Sequence, residues 1–373
     1  MQKIVSIAST PQNLVKLATI DKALKKYRKD VKNIICFLGP EKDERNSLGN
    51  FVDLDLPRTH WYVSYGEGSD VEQAATSMLE FEKILKVENP SLVFLSGHEN
   101  ATLACGIAAS KMNITLAHID AGLRNFDRGS HEEMNRVLID TLCDYHFVSE
   151  HSGMKNLRDE GEENNNIFFT GNPLVDNLEI YWDEIQETKA VEKLKIKDKD
   201  YIVVFFEHPD NLNNLQRMRE IVDKLNRIAK KCLVVWPLSQ KGKNSLYGFM
   251  LDKKISKDIL VMDTIPYIEF LSLLHKSKAV MTDTSEIQEE TTYLGVQCIT
   301  IRKFTERIVT LDVGTNHLVG FDAEKAEKIT EDILEGTAKP GRVPEMWDGK
   351  AGKRIAEIAV EEILGISNES TEQ

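Results

Sequence analysis

The stretch "LVFLSGHENATLACGIAASKMNITLAHIDAGLRNFDRGSHEEMNR", Leu92 to Arg136, contains two apolar runs that each stop at ionisable residues. "LVFLS" runs into "GHEN", "ITLAHI" runs into "DAGLR", and the acids of "HEEMNR" follow. Neither run alternates apolar with polar residues, as expected of strands covered on both faces of a parallel sheet. Ligands of such sheets bind beyond the carboxyl ends of the strands, where this chain puts histidines and carboxylates.

The same grammar extends in both directions. "KIVSIAS", "NIICFLG" and "YHFVSE" read as further strands. "QNLVKLATIDKALKKYRK" and "VEQAATSMLEFEKILKVEN" read as helices, with apolar residues three and four apart. "IFFTGNPLVDNL" closes this first α/β unit, and the charged "YWDEIQETKAVEKLKIKDKD" reads as a connecting helix and linker. A second set of strands follows in "YIVVFFEH", "KCLVVWPL", "ILVMDTI", "KAVMTDT" and "QCITIRK". The expected domains are 1–175 and 176–351, with an amphipathic C-terminal helix at 352–367 packing back on the first and the polar tail "SNESTEQ" frayed. A chain of 373 residues is long enough for two cores.

A net charge of −13 argues against nucleic acid and anionic membranes as partners. The apolar runs are too short for a membrane helix, and "MQKIVSIAST" reads as a first strand, not a signal peptide. Five scattered cysteines with no CxxC pair suit reduced, buried thiols, so the expected location is the cytoplasm. The first strand lacks GxGxxG and no Walker loop occurs, which disfavours NAD and ATP chemistry. No cofactor is expected, and no metal, because no HExxH-type spacing is present.

Each candidate position carries a bland alternative. Ser9, Thr10 and Lys16 can touch a phosphate at a helix start, or "TP" is simply a good helix opening. Asp120 is either an acid–base group or a carboxylate that caps a helix or pairs with Arg124. Glu132 and Glu133 are equally consistent with first-turn acids favoured by the helix dipole. His208, beside Glu207 at a strand end, is a proton donor or a hydrogen-bonded loop histidine. Thr284 and Ser285 stand where a helix N-terminus can hold a phosphate, and Glu290 could grip ribose; alternatively Thr284 is an N-cap and Glu289 and Glu290 are surface acids.

Read together, the motifs resemble those of the non-hydrolysing UDP-N-acetylglucosamine 2-epimerases along most of the chain. "AHIDAGLR" resembles that family's His-Val-Glu-Ala-Gly-Leu-Arg, and "HEEMNR" its Pro-Glu-Glu-x-Asn-Arg. "FFTGNPLVDNL", "MTDTSEIQEE" and "FTERIVTLDVGTNHLVG" resemble three further motifs in the family's order. The resemblance implies an α/β fold of two Rossmann-like domains, glycosyltransferase-B-like, with the nucleotide-sugar in an interdomain cleft. It implies interconversion of UDP-GlcNAc and UDP-ManNAc, or a related pair, by elimination and re-addition of UDP, for polysaccharide or glycan synthesis. It also implies a homodimer.

By position, Asp120 and Glu132 match catalytic carboxylates and His208 the histidine that assists departure of UDP. His98 stands in the place of a third acid. Glu290 matches the ribose-holding residue and Arg307 a basic residue of the site; Lys16, Arg136, Thr284, Ser285 and Glu286 complete the expected substrate-binding set. Several positions depart from the family pattern. Gly97-His98-Glu99 stands for Gly-Asp-Thr, Asp120 for a glutamate, Thr284-Ser285-Glu286 for Ser-Gly-Gly and Pro209-Asp210-Asn211 for Arg-Arg-Glu. The Arg of the N-terminal motif is missing from "STPQNLVK", and "CFLGPEKDE" lacks the Gln-His pair with which many bacterial members bind a second, activating nucleotide-sugar. A catalytically silent binding protein and a hydrolysing relative that releases free sugar remain as alternatives.

Overall fold

The structure, a computed structural model, describes residues 1–39, 48–65 and 68–366. Residues 40–47, which hold most of "CFLGPEKDE", and the tail 367–373 lie outside the described residues. The chain divides into two compact units: residues 1–49, 54–180 and 345–373 in the first, residues 50–53 and 181–344 in the second.

The first unit is built on seven parallel strands: β1 (Gln2–Ala8), β2 (Val31–Leu38), β3 (Trp61–Val63), β4 (Leu92–Ser96), β5 (Thr115–Ile119), β6 (Tyr145–Val148) and β7 (Ile167–Phe169). Their order, β3-β2-β1-β4-β5-β6-β7, reverses direction between β1 and β4. Both faces of the sheet are buried, and β1 shows why its run does not alternate. Ile4 and Ala8 enter one apolar cluster with Leu14, Leu17 and Ile355. Val5 and Ile7 enter another with Phe81, Cys105 and Ile139. Each Val, Ile, Leu or Phe side chain so removed from water contributes about 1.5–3 kcal/mol.

The helix Asp70–Glu88 opens with a capping box, in which Ser69 and Glu72 satisfy each other's backbone amides, and ends at Asn89 in the left-handed region. The first helix spans Pro11–Leu24 and its last expected turn tightens to a 3-10 turn, Lys25–Tyr27. Residue 175, the expected boundary, falls inside the helix Pro173–Ile180, which lies in the first unit. Asp176 of that helix accepts the amides of Ala351 (3.0 Å) and Gly352 (2.7 Å), tying the C-terminal helix Ala351–Glu357 into this unit. Gly352 lies against the Pro11–Leu24 helix so closely that a Cβ would come within 2.6 Å of the Thr19 hydroxyl.

The second unit repeats the plan with six parallel strands: β8 (Tyr201–Phe205), β9 (Leu233–Leu238), β10 (Ile259–Asp263), β11 (Ala279–Thr282), β12 (Gln297–Thr300) and β13 (Asn316–Leu318). The order is β10-β9-β8-β11-β12-β13, again a doubly wound sheet, with its reversal between β8 and β11. The charged connector forms two short helices, Trp182–Glu187 and Ala190–Lys193. All five cysteines are buried and free. Among the described residues no helix is long and apolar enough to cross a membrane.

Candidate active site

In the first unit the candidate groups collect at the β1/β4 reversal and the neighbouring end of β5. Thr10 caps the first helix, accepting from the Asn13 amide at 3.2 Å, with Pro11 at the first helical position. Lys16, one turn and a half along, is buried and its ammonium pairs with the Asp120 carboxylate. Asp120 follows β5 with φ +65, a left-handed conformation that Asp tolerates better than most residues. The next amide, Ala121, returns to the β-ladder by donating to the Phe147 carbonyl at 3.0 Å. Gly122, with φ +78, must be glycine, since a Cβ would lie 2.3 Å from the Gly153 carbonyl oxygen. "DAG" is therefore a tight turn that holds one carboxylate at a fixed point.

Asp120 pairs with Lys16 because Arg124 is engaged elsewhere. The Arg124 guanidinium, fully buried, meets Asp140 at 2.7 Å and grips Glu160 through two hydrogen bonds of 2.9 and 2.6 Å. Asp140 also contacts His118 Nδ1 at 2.6 Å and accepts the Gly122 amide at 3.0 Å. Burial alone would raise the Asp140 carboxyl; His118 and Arg124 outweigh it and hold it down at about 2. Asp140, on the helix His131–Leu142, thereby braces the turn that presents Asp120.

The same helix carries Glu132 and Glu133 in its first turn, with Ser130 as N-cap. Glu133 is buried and accepts the amides of Asn125 (3.0 and 3.1 Å) and Phe126 (2.8 Å), and the Arg136 Nε at 3.1 Å. Glu132 is half-buried. Asn135 donates to the His98 carbonyl at 2.9 Å and to Asn100 Oδ1 at 2.8 Å, fixing the β4 loop to the helix that bears Glu132.

In the second unit Asp283, at the end of β11, organises the end of β8. It accepts the amides of Glu207 (2.8 Å) and His208 (3.2 Å) and the Asn211 side-chain amide (2.8 Å). Burial raises its pKa against these donors. Burial likewise raises Glu207, against a hydrogen bond from Ser239. His208 is the N-cap of Pro209–Leu212, and its Nδ1 accepts the Asp210 amide at 3.2 Å. With Nδ1 accepting, Nε2 is the ring nitrogen that can donate.

The helix Ser285–Leu294 begins at Thr284, whose hydroxyl contacts Thr282 at 3.2 Å and makes no cap bond of its own. Ser285 donates to Glu306 and receives Arg302 at 3.3 Å. Glu286 stays half-buried in the first turn. Glu289 and Glu290 are buried, not surface acids: Glu289 pairs with the Arg307 guanidinium, and Glu290 accepts the Tyr267 hydroxyl. The Tyr267 ring in turn lies tilted against Phe51, with centroids 4.9 Å apart, while Asp53 accepts the Ile268 amide at 2.7 Å.

With this geometry in hand, a family model described as UDP-N-acetylglucosamine 2-epimerase matches residues 22–360. The chain belongs to that family. It is 34% identical to the UDP-N-acetylglucosamine 2-epimerase of Methanocaldococcus jannaschii, over 95% of this chain and 98% of the relative. It is 28% identical to the UDP-2,3-diacetamido-2,3-dideoxy-D-glucuronate 2-epimerase of Pseudomonas aeruginosa, over 95% of this chain and 98% of that one. The crystal structure of the Methanocaldococcus jannaschii enzyme in complex with UDP-GlcNAc and UDP superposes with a TM-score of 0.86 at 31% identity, covering 96% of this chain and 99% of that one. The two doubly wound units are those of the family's glycosyltransferase-B-like α/β fold.

Within this epimerase the expected residues fall into two groups. His98, Asp120, Glu132, Lys16 and Arg136 belong to the first unit, and His208, Thr284, Ser285, Glu286, Glu290 and Arg307 to the second. Three cations of the expected substrate-binding set already have carboxylate partners: Lys16 on Asp120, Arg136 on Glu133 and Arg307 on Glu289. Sequence reasoning passed over Asp140, Asp283 and Glu99. Asp140 was discoverable, as a lone acid next to Ile139 on an amphipathic helix whose apolar side must be buried. Among the described residues, no group of three His, Cys, Asp or Glu side chains could hold a metal ion.

Proposed function

We propose that the chain is a nucleotide-sugar 2-epimerase that interconverts UDP-GlcNAc and UDP-ManNAc, or a closely related pair, and supplies polysaccharide or glycan synthesis. The reading is supported above all by the strand-end acid Asp120, held by buried Lys16 in a chain 34% identical to a UDP-N-acetylglucosamine 2-epimerase. The hydrogen on sugar C2 has no adjacent carbonyl to acidify it, so direct removal is unfavourable. In the proposed route a base takes the C2 proton, the C–H electrons form a C1–C2 double bond, and the C1–O bond to UDP breaks with its electrons leaving on phosphate. The UDP oxygen then re-adds to C1 while an acid returns a proton to the opposite face of C2.

Asp120, Glu132 and His98 form the proposed proton-transfer set. His208, with its Nε2–H, donates a hydrogen bond to the departing phosphate oxygen. Lys16, Arg136, Thr284, Ser285, Glu286 and Arg307 shape the sugar and diphosphate environment, and Glu290 holds the ribose. The protein works as a homodimer, which light scattering tests directly. Its compartment is the cytoplasm, a reading supported by five free, buried thiols. Incubation with UDP-GlcNAc in deuterated water is expected to place deuterium at C2 of both epimers. Absence of exchange with UDP-GlcNAc, UDP-ManNAc and the diacetamido-glucuronate pair removes the proposal.

A further inference from the structure

At the end of β4 the residue after His98 behaves unusually for its place. Glu99 is the N-cap of the helix Asn100–Lys111, yet its carboxylate makes no hydrogen bond to the helix amides. An acid at an N-cap ordinarily accepts one of those amides and is favoured by the helix dipole. Here the side chain turns back over the strand end. It accepts the Ser9 hydroxyl from the end of β1, and Thr102 approaches the same oxygen, Oε2, at 3.4 Å. Neither hydroxyl engages Oε1.

The carboxylate occupies the space directly above Gly97. A Cβ at that glycine, whose φ is +103, would lie 2.4 Å from Glu99 Oε2 and 2.7 Å from Asn13 Oδ1. The spot lies between the ends of β1 and β4, where the strand order reverses. That reversal is where doubly wound sheets open a crevice for ligand. Asn135 fixes this loop from the other side through the His98 carbonyl and Asn100.

Several other carboxylates of this unit are paired with cations or backbone amides. Asp120 has Lys16, Asp140 has Arg124 and His118, Glu133 has Arg136 and two amides, and Asp176 has two amides. Glu99 is held by neutral hydroxyls and, among the described residues, by no cation. A carboxylate oriented by hydroxyls, with its second oxygen left for a ligand in the crevice, is placed to exchange a proton with that ligand.

We infer that Glu99 is a proton-transfer residue of the epimerase, with Ser9 positioning it. Its carboxylate takes up the C2 proton as the C1–C2 double bond forms and the C1–O bond to UDP breaks, or delivers that proton in the reverse direction. The inference rests on the epimerase reading, and the experiment separates the two. Wild-type protein, E99Q and S9A are compared in deuterated water with UDP-GlcNAc, reading deuterium at C2 by NMR, UDP affinity by calorimetry, and kcat and KM separately.

Expected is a loss of exchange in E99Q of roughly 100-fold or more, with UDP affinity and melting temperature near wild type. S9A, which removes the hydroxyl that positions the carboxylate, lowers kcat with KM near wild type. Exchange by E99Q at the wild-type rate, or an unchanged kcat in S9A, overturns the assignment of Glu99 and leaves the epimerase intact. A wild-type protein that exchanges with no nucleotide-sugar overturns both.

Discussion

The two strand-order reversals of this molecule, one per unit, share a topology and use it differently. Between β8 and β11 the central acid, Asp283, is buried and receives two backbone amides and the Asn211 side chain. Between β1 and β4, extending to β5, the acids are side-chain partnered: Glu99 by Ser9, and Asp120 by Lys16. The second reversal thus builds backbone shape, holding His208 in place, while the first holds carboxylates through side-chain partners. A doubly wound sheet supplies a crevice, and the chemistry of the crevice depends on whether its acid points into the backbone or out of it.

The sharpest way to break that contrast is Asp120→Asn. If the first reversal carries proton transfer, C2 deuterium exchange falls roughly 100- to 10,000-fold, the range expected for a lost acid–base group. UDP affinity, measured by calorimetry, is expected to stay within about threefold of wild type, because equal loss of binding and turnover is not what a proton-transfer group gives. A D120N protein that exchanges normally would make Asp120 a plain ion-pair partner of Lys16.

Asp283→Ala probes the opposite side of the comparison. Three donors lose their acceptor in a buried site, so the second unit is expected to lose about 3 kcal/mol of stability, seen in urea unfolding. Exchange by the remaining folded protein should fall too, through misplacement of His208. A D283A protein of unchanged stability would mean that water or other groups satisfy those amides, and the organising role would fail.

How far this division was legible in the sequence differs between fold and site. The long apolar strands ending in polar residues were readable, because a strand buried on both faces needs a continuous run. The edge strands β3 and β13, three residues each, were not, since so short a segment has no period to read. Asp120, Glu132 and His208 were readable as strand-end and helix-start groups. The partners of the cations were legible only in part: Arg136 and Glu133 are a helix spacing apart, but Lys16 finds Asp120 across 104 residues. Glu99 was invisible because "GHEN" gives the residue's place in the chain and not the direction its side chain takes.

Acid titration separates carboxylates inside the first unit in the same spirit. Asp140 is held at about 2, below its ordinary 3.8, so its stabilising contribution is present above 3.8 and is lost as pH falls through 2. Asp176 has the opposite sign: burial raises it from 3.8 to about 6 against the Gly352 and Ala351 amides. The folded protein therefore binds that proton more tightly than the unfolded chain, and the contribution present below 3.8 is lost as pH rises through about 6. Melting temperature measured from about pH 3.5 to about pH 7 is expected to have a flatter slope in D176N than in wild type. An unchanged slope would leave the tie between Asp176 and the C-terminal helix without a titrating component.

The smallest expected effect lies in the second unit, at Tyr267. Its hydroxyl donates to Glu290 from a fully buried ring, and burial, with Glu290 beside it, pushes its own pKa well up, so it remains a donor at any working pH. Tyr267→Phe keeps the ring under Phe51 and removes only that donor. A neutral hydrogen bond to a charged acceptor is worth about 1.5–3 kcal/mol at most, and part is recovered if Glu290 finds other donors, so about 1 kcal/mol is expected. If Glu290 holds the ribose, the loss appears as a rise of a few-fold in KM with kcat unchanged, the signature of a group that binds substrate and transition state alike. A fall in kcat at constant KM would instead move Glu290 from holding the nucleotide to taking part in the reaction, and would erase the contrast between the proton-transfer carboxylates of the first unit and the nucleotide-holding carboxylate of the second.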